Sequence, residues 1–207
     1  MSEELLPHYR NPVGEGGREV IERMYSGHAA MTRALVAVLE PKEDDVILDV
    51  GCGGGFAISL FAQRAMKVYG IDHSELSVEK ALAFNADAVR EGRVAVEKAS
   101  VLDMPFADGM FTLVTALETV YFWDRAPECY ARIFRALRPG GRFAILVEAW
   151  LDGDTPVNEP ERMDILRMKL YSPEEFAADL RAAGFDAVEW REITDDRTLC
   201  VIAHKKA

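Results

Sequence analysis

Val46 to Phe56 reads VILDVGCGGGF, and this stretch decides the fold. Val46, Ile47 and Leu48 open a short apolar, β-branched run that continues through Asp49 and Val50. Such a run suits a strand buried on both faces of a parallel sheet. Five residues follow as Gly51-Cys52-Gly53-Gly54-Gly55. Glycines allow a sharp turn and let a ligand approach the backbone with no Cβ in the way. Phe56 to Met66 then has helical spacing, with Ile58, Leu60 and Phe61 apolar and Gln63 and Arg64 polar. Strand, glycine loop and helix in that order predict a nucleotide-cofactor site, with backbone N–H groups at the helix start facing the ligand.

The next residues narrow that reading. In the dinucleotide fingerprint G-x-G-x-x-G the third glycine packs helix against strand, but counted from Gly51 that place is taken by Phe56. The pattern is G-x-G-x-G after a strand carrying Asp49. Lys67-Val68-Tyr69-Gly70-Ile71-Asp72 is a second short strand ending in a carboxylate. An acid there can accept hydrogen bonds from both ribose hydroxyls, in NAD enzymes and in another cofactor class alike.

LDVGCGGGF followed by YGID resembles motif I and the second-strand acid of the class I S-adenosylmethionine (SAM) dependent methyltransferases. Further segments match in the family's order. Ala99 to Phe106 resembles the adenine-holding segment, and Phe106 to Phe111 the turn into strand four. Leu137-Arg138-Pro139-Gly140-Gly141 resembles the turn before strand five, and Ala183-Gly184-Phe185 the helix stop before strand six. The resemblance runs from about Leu35 to the C-terminus and is closest to small-molecule enzymes related to the ubiquinone/menaquinone C-methyltransferases. One departure is Thr112, where the family usually has an acid after the phenylalanine of strand four.

The resemblance implies a Rossmann-like α/β fold: a seven-stranded, mostly parallel sheet with helices on both faces and the last strand antiparallel. It implies SAM as methyl donor, S-adenosylhomocysteine as product and a small-molecule acceptor. It implies that Asp49 helps hold the loop and the methionine end, often through water, and that Gly51, Gly53 and Gly55 make room for methionine and ribose. Asp72, with His73 beside it, takes the ribose. Leu102 and Met104 offer apolar contact to the adenine ring, and Asp103 accepts its exocyclic amine; the alternative for Asp103 is a surface turn residue before Pro105. Leu117 and Glu118 complete the cofactor set. Cys52 reads as a small buried filler within it.

Composition bounds the alternatives. The chain has 207 residues, 49% apolar and 29% charged, which suits one soluble domain with or without a small cap. With 35 acids against 24 bases the net charge is −11. That disfavours a nucleic-acid partner, whose phosphates need Lys and Arg, and docking on an anionic membrane. Cys52, Cys129 and Cys200 form no C-x-x-C and no disulfide framework, so a reducing, cytoplasmic setting is expected and no metal site is read. Met1-Ser2-Glu3-Glu4 lacks the basic start of a signal peptide, and no apolar run approaches the roughly 20 residues of a membrane span. The chain could pair with a second copy of itself.

Residues 1–17 hold Pro7, Pro12, Gly14, Gly16 and Gly17 and read as an arm without regular structure. It is either a loose terminus or, as the family implies, a lid that brings Tyr9, Arg10 and Asn11 to the ligands. Together with the helical spacing from Arg18 to Leu39, which Ser26-Gly27 should split, residues 1–40 form a cap, and 41–207 form the cofactor domain. His28 shares an apolar stripe with Met24 and Met31, as a packed histidine or as a base. Ser74 is an expected N-cap for a helix running to about Glu91 and stopped by Gly92.

Strand four, Phe111 to Leu117, delivers Glu118-Thr119-Val120-Tyr121-Phe122-Trp123-Asp124 to the sheet edge where open α/β sheets bind ligands. Tyr121, Phe122 and Trp123 could stack on a planar acceptor or face the sulfonium; one or two could instead be core. Glu118 could pair with the methionine amine or act as base. His28, Glu118, Tyr121 and Glu148 are the candidate bases. Asp152 to Arg167 shows no clear strand, and the helix-like run 161–169 belongs to an insertion around 150–171 that would cover the acceptor. Ser172-Pro173-Glu174-Glu175 is a capping box. Two rival readings are an NAD(P)-dependent oxidoreductase and a SAM-binding module without turnover. An aminopropyl transferase is a more distant one, with no polyamine-binding signature.

Overall fold

The computed structural model describes residues 5–158 and 163–207. Two compact units divide the chain, residues 1–100 and 101–207.

The first unit begins with α1 (Pro7–Arg10) and α2 (Gly14–Leu39). It continues as β1 (Val46–Val50), α3 (Phe56–Phe61), β2 (Lys67–Asp72), α4 (Glu75–Phe84), α5 (Ala86–Arg90) and β3 (Val94–Lys98). β2 lies between β1 and β3, parallel to both. Residues 5–17 of the expected irregular arm thus include α1 and the start of α2, and residues 1–4 of it lie outside the described residues. Nor does Ser26-Gly27 split the helix: α2 runs unbroken for 26 residues. The Ser26 hydroxyl donates to the Glu22 and Arg23 carbonyls, 3.3 and 3.1 Å away, so it is satisfied within the helix without breaking it. Val20, Ile21, Met31, Leu35 and Leu39 are buried along it, and this packing outweighs the roughly 1 kcal/mol that a helical glycine costs. α3 is shorter than expected, ending at Phe61. The helix after Ser74 breaks at Asn85, and Gly92, with φ +75°, ends the segment as expected.

The second unit contains β4 (Phe111–Leu117), a 3-10 turn (Val120–Phe122), α6 (Ala126–Ala136) and β5 (Leu137–Val147). After these come β6 (Trp150–Asp152), β7 (Thr155–Val157), α7 (Met163–Leu166), α8 (Pro173–Ala182), β8 (Ala187–Glu192) and β9 (Leu199–His204). The fold is the expected seven-stranded, mostly parallel sheet, of order β3-β2-β1-β4-β5-β9-β8, in which β9 runs antiparallel to both of its neighbours. Two elements differ from the sequence reading. Arg138-Pro139-Gly140-Gly141 lies inside β5 as an irregularity in its register with β4, where Gly140 takes φ +74°. β6 and β7 form an antiparallel hairpin in the segment that shows no strand pattern. The start of the expected helix at 161–169 lies outside the described residues.

The core of this unit is aromatic. Pro127 sits at a favoured first position of α6, and Ala126, Cys129, Tyr130, Ile133 and Ala136 form its buried stripe. Tyr130 packs between Trp123 and Phe143, with ring centroids 5.9 and 6.2 Å away. The expected capping box closes α8, with the Ser172 N–H donating to Glu175 Oε2 at 2.8 Å and the Glu175 N–H to Ser172 Oγ at 3.2 Å. Tyr130 is fully buried, and its hydroxyl has no hydrogen-bond partner among the described residues. Burial is also the main reason its phenol resists ionisation. An unsatisfied buried hydroxyl costs about 1–3 kcal/mol. Tyr130→Phe should therefore leave stability equal or raise it by about 1 kcal/mol in a urea titration. A clear loss would mean that the hydroxyl is satisfied.

Candidate functional site

The glycine loop closes on itself and on β2. Gly51 and Cys52 donate their N–H groups to the Ile71 carbonyl at 2.8 and 3.0 Å, and Gly55 donates to the Cys52 carbonyl at 2.9 Å. The Gly53 N–H donates to Asp72 Oδ2 at 2.9 Å. Four loop N–H groups, those of Gly51, Cys52, Gly53 and Gly55, are thus engaged within the protein, all of them ahead of the first helical residue, Phe56.

Its glycines do different jobs. Gly51, Gly53 and Gly55 all take left-handed backbone, with φ +70°, +50° and +81°. A Cβ on Gly55 would lie 2.7 Å from Asn85 Nδ2 and 2.9 Å from Ala81 Cα, so close packing against α4 requires glycine there. A Cβ on Gly53 would meet nothing within 4 Å, so this is where the loop is open to a ligand. Asn85 fixes the packed end by donating to the Gly55 and Ala81 carbonyls at 3.0 and 2.9 Å. It was not recognisable as a site residue in the sequence; an asparagine in the middle of a helical pattern was the available signal.

Asp72, only 7% exposed, ends β2. Its Oδ1 accepts the Ser74 N–H at 2.8 Å, and its Oδ2 is the acceptor for Gly53. Burial raises its carboxyl above the ordinary value, against the lowering effect of the Ser74 and Gly53 N–H groups and of His73. A carboxylate offers about four lone-pair positions, so two amide bonds leave it able to accept hydroxyls. His73 is exposed, its Nδ1 3.8 Å from Asp72 Oδ1. Asp49 is 2% exposed within β1. Cys52 is buried, and burial first, then Asp72 and Asp49, push its thiol well above the ordinary range. It is therefore an inert filler rather than a nucleophile.

The N-terminal segment docks in the same unit. Ser74 caps α4 by accepting the Ser77 N–H at 3.3 Å, and its buried hydroxyl donates to the Pro12 carbonyl at 2.7 Å. Tyr9 and Arg10 are half-buried on α1, and Asn11 is exposed at its end. His28 is half-buried on α2, where its carbonyl accepts the Thr32 hydroxyl at 2.7 Å.

In the second unit Leu102 is half-buried, Asp103 exposed and Met104 buried. Arg132 Nη2 holds this segment by donating to the Met104 and Phe106 carbonyls at 3.1 and 2.6 Å, a role that no sequence pattern announced. At the end of β4, Leu117 and Glu118 are half-buried. Glu118 takes φ +54°, which is uncommon for a residue with a side chain. Its carboxylate is braced on two sides: Oε1 accepts the Glu148 N–H at 2.6 Å, and Oε2 accepts the Tyr121 hydroxyl. Tyr121 is buried in the 3-10 turn, and its carbonyl accepts the Lys169 N–H at 3.0 Å. Phe122 and Trp123 are half-buried. This unit thus brings together three of the sequence's candidate bases, Glu118, Tyr121 and Glu148.

Comparisons with known proteins agree with this architecture. A family model described as "Methyltransferase domain" matches residues 48–145. The chain is 34% identical over 193 residues to O-methyltransferase resE of Aspergillus sclerotiorum, covering 90% of the chain and 72% of that protein. It is 31% identical over 163 residues to 27-O-demethylrifamycin SV methyltransferase of Amycolatopsis mediterranei (strain S699), covering 75% of the chain and 59% of that enzyme. Among solved structures, the methyltransferase in a complex with the Haloferax volcanii Trm112 methyltransferase activator superposes with a TM-score of 0.82 at 20% identity, over 100% of both chains. Among the described residues, no helix is long and apolar enough to cross a membrane.

Proposed function

The chain belongs to the class I SAM-dependent methyltransferases that act on small molecules, and on that footing we propose that it transfers a methyl group to the oxygen of a hydroxylated acceptor. One observation carries the choice of cofactor. The loop N–H groups at Gly51, Cys52, Gly53 and Gly55 are engaged internally, while Gly53 faces open space and Asp72 keeps acceptor capacity. That combination suits a cofactor with a ribose, and Phe56 in the place of the third dinucleotide glycine argues against a nicotinamide dinucleotide.

When bound, SAM supplies a methyl on a sulfonium, so the S–C bond breaks as the O–C bond forms and a neutral thioether leaves. The protein's part is then to align donor and acceptor and to exclude water. In this reading Asp72 accepts the ribose hydroxyls, with His73 alongside. Gly51 and Gly53 admit the methionine and ribose, and Asp49 holds the loop. Leu102, Asp103 and Met104 take the adenine, and Leu117 and Glu118 complete the pocket. Tyr121, Phe122 and Trp123 contact the acceptor, and residues 1–17 and the segment around 150–171 cover it. Glu118 accepts hydrogen bonds from the Tyr121 hydroxyl and the Glu148 N–H, which orient its carboxylate. Among the candidate bases His28, Glu118, Tyr121 and Glu148, we assign the acceptor's proton to His28, the one imidazole. The oxygen acceptor is supported by the relatives named O-methyltransferases. A cytoplasmic setting and the lack of a nucleic-acid partner fit three thiols without a disulfide and a net charge of −11.

Methyl-labelled SAM offered with matched phenols, alcohols, amines and thiols tests the assignment. Label should pass to the hydroxylated compounds. Transfer only to nitrogen or sulfur would overturn the oxygen acceptor while keeping the class.

A further inference from the structure

Ser74 stands between two parts of the first unit. Its N–H reaches Asp72 Oδ1 at 2.8 Å, and through Asp72 Oδ2 the same carboxylate holds the Gly53 N–H of the loop. Its hydroxyl donates to the Pro12 carbonyl at 2.7 Å. A continuous line of hydrogen bonds therefore runs from the open glycine of the loop, through the carboxylate, to the segment that follows α1. Ser74 is 3% exposed and Pro12 is buried, so a broken bond leaves a polar group with no access to water. The contact is also close-packed. A Cβ on Gly17 would lie 2.8 Å from the Pro12 carbonyl carbon and 3.0 Å from Leu76 Cδ2. Leu6, 5% exposed, anchors the far end.

We propose that Ser74 is a positioning residue that couples docking of residues 5–13 to the state of the Asp72 carboxylate. Ordering the arm pins Ser74, which fixes the carboxylate for the ribose; binding at the carboxylate fixes Ser74 and so holds the arm. Coupling of this kind is reciprocal by thermodynamic necessity. The inference rests on the reading of Asp72 as the ribose acid. It goes further in giving the arm a defined link to the cofactor, and it assigns to Ser74 more than the capping of α4.

The test uses the full chain with Ser74→Ala, Gly17→Ala and the pair together. Ser74→Ala keeps the N–H to Asp72 but removes the bond to Pro12. Gly17→Ala favours the helix yet displaces the arm by its Cβ. Each should weaken S-adenosylhomocysteine binding about fivefold, the worth of one buried hydrogen bond. The double variant should be no weaker than either single one. Ser74→Thr, which keeps hydroxyl and cap, should restore wild-type affinity. Amide hydrogen exchange in residues 5–13 should slow when S-adenosylhomocysteine is added to the wild type and not when it is added to Ser74→Ala. Multiplying effects in the double variant would overturn the coupling and leave Ser74 as a helix cap, as would arm exchange that ignores the ligand in the wild type. Unchanged affinity in Asp72→Ala would instead remove the ribose reading, so the two failures are distinct.

Discussion

Asp72→Ala should weaken S-adenosylhomocysteine binding by more than a hundredfold while the protein stays folded. Hydrogen bonds to a charged group are worth about 1.5–3 kcal/mol each, so losing two ribose contacts removes about 3 kcal/mol or more. Stability should change little, because two opposing effects meet at this residue. The substitution frees the Gly53 and Ser74 N–H groups, yet it also removes a charge whose burial is unfavourable. Acidification should act in the same direction. The folded carboxyl is raised above its unfolded value, so between those values the folded chain holds a proton that the unfolded chain has released. Across that window the residue's contribution to stability falls as pH rises. Affinity should move the other way, because the ribose hydroxyls need the charged form, and it should begin to fall on acidification above the ordinary carboxylate range near 4. Calorimetry across pH, alongside thermal melts, reads both quantities. An Asp72→Ala protein that binds normally would end the ribose assignment.

Gly55→Ala should damage the fold severely, and Gly53→Ala, two residues earlier, only mildly. At Gly55 the backbone is left-handed, which costs a residue with a side chain about 1–2 kcal/mol. The new methyl would also press on Ala81 Cα and Asn85 Nδ2. Overpacking adds roughly 1–3 kcal/mol, so a total near 3 kcal/mol is expected in denaturant unfolding. At Gly53 the methyl meets nothing, so only the conformational term of about 1 kcal/mol applies. That methyl would instead fill space the cofactor uses, and affinity should fall sharply. A Gly53→Ala protein with wild-type affinity would place the ligand elsewhere. A Gly55→Ala protein of wild-type stability would contradict the packing at the end of the loop.

These contrasts mark what the sequence could and could not disclose. VILDV, the glycine loop and KVYGID carry strong local signals, because a short β-branched run and an isolated terminal acid have few other uses, and the structure forms β1 and β2 from them. The capping box at Ser172 and the cap at Ser74 were legible for the same reason: each depends on neighbours a few residues away. Signals that depend on distant partners were not. Ser26-Gly27 has the residues of a break, but burial of Leu35 and Leu39 on one side and of Val20 and Ile21 on the other carries α2 through it. The β6–β7 hairpin is short and includes Pro156, so no alternation announced it. The two kinds of glycine in the loop look identical in sequence, since only the position of α4 separates Gly55 from Gly53. Nor could the sequence tell that the loop N–H groups point inward, to Ile71, Cys52 and Asp72.

The central claim is that this loop and acid hold a phosphate-free nucleoside cofactor. Calorimetric titration of the purified protein with S-adenosylhomocysteine, and with NADH and NADPH in parallel, tests it most directly. Binding of S-adenosylhomocysteine in the micromolar range, with no heat from either nicotinamide cofactor, is the expected result. Saturable binding of NADH or NADPH without binding of S-adenosylhomocysteine would contradict it.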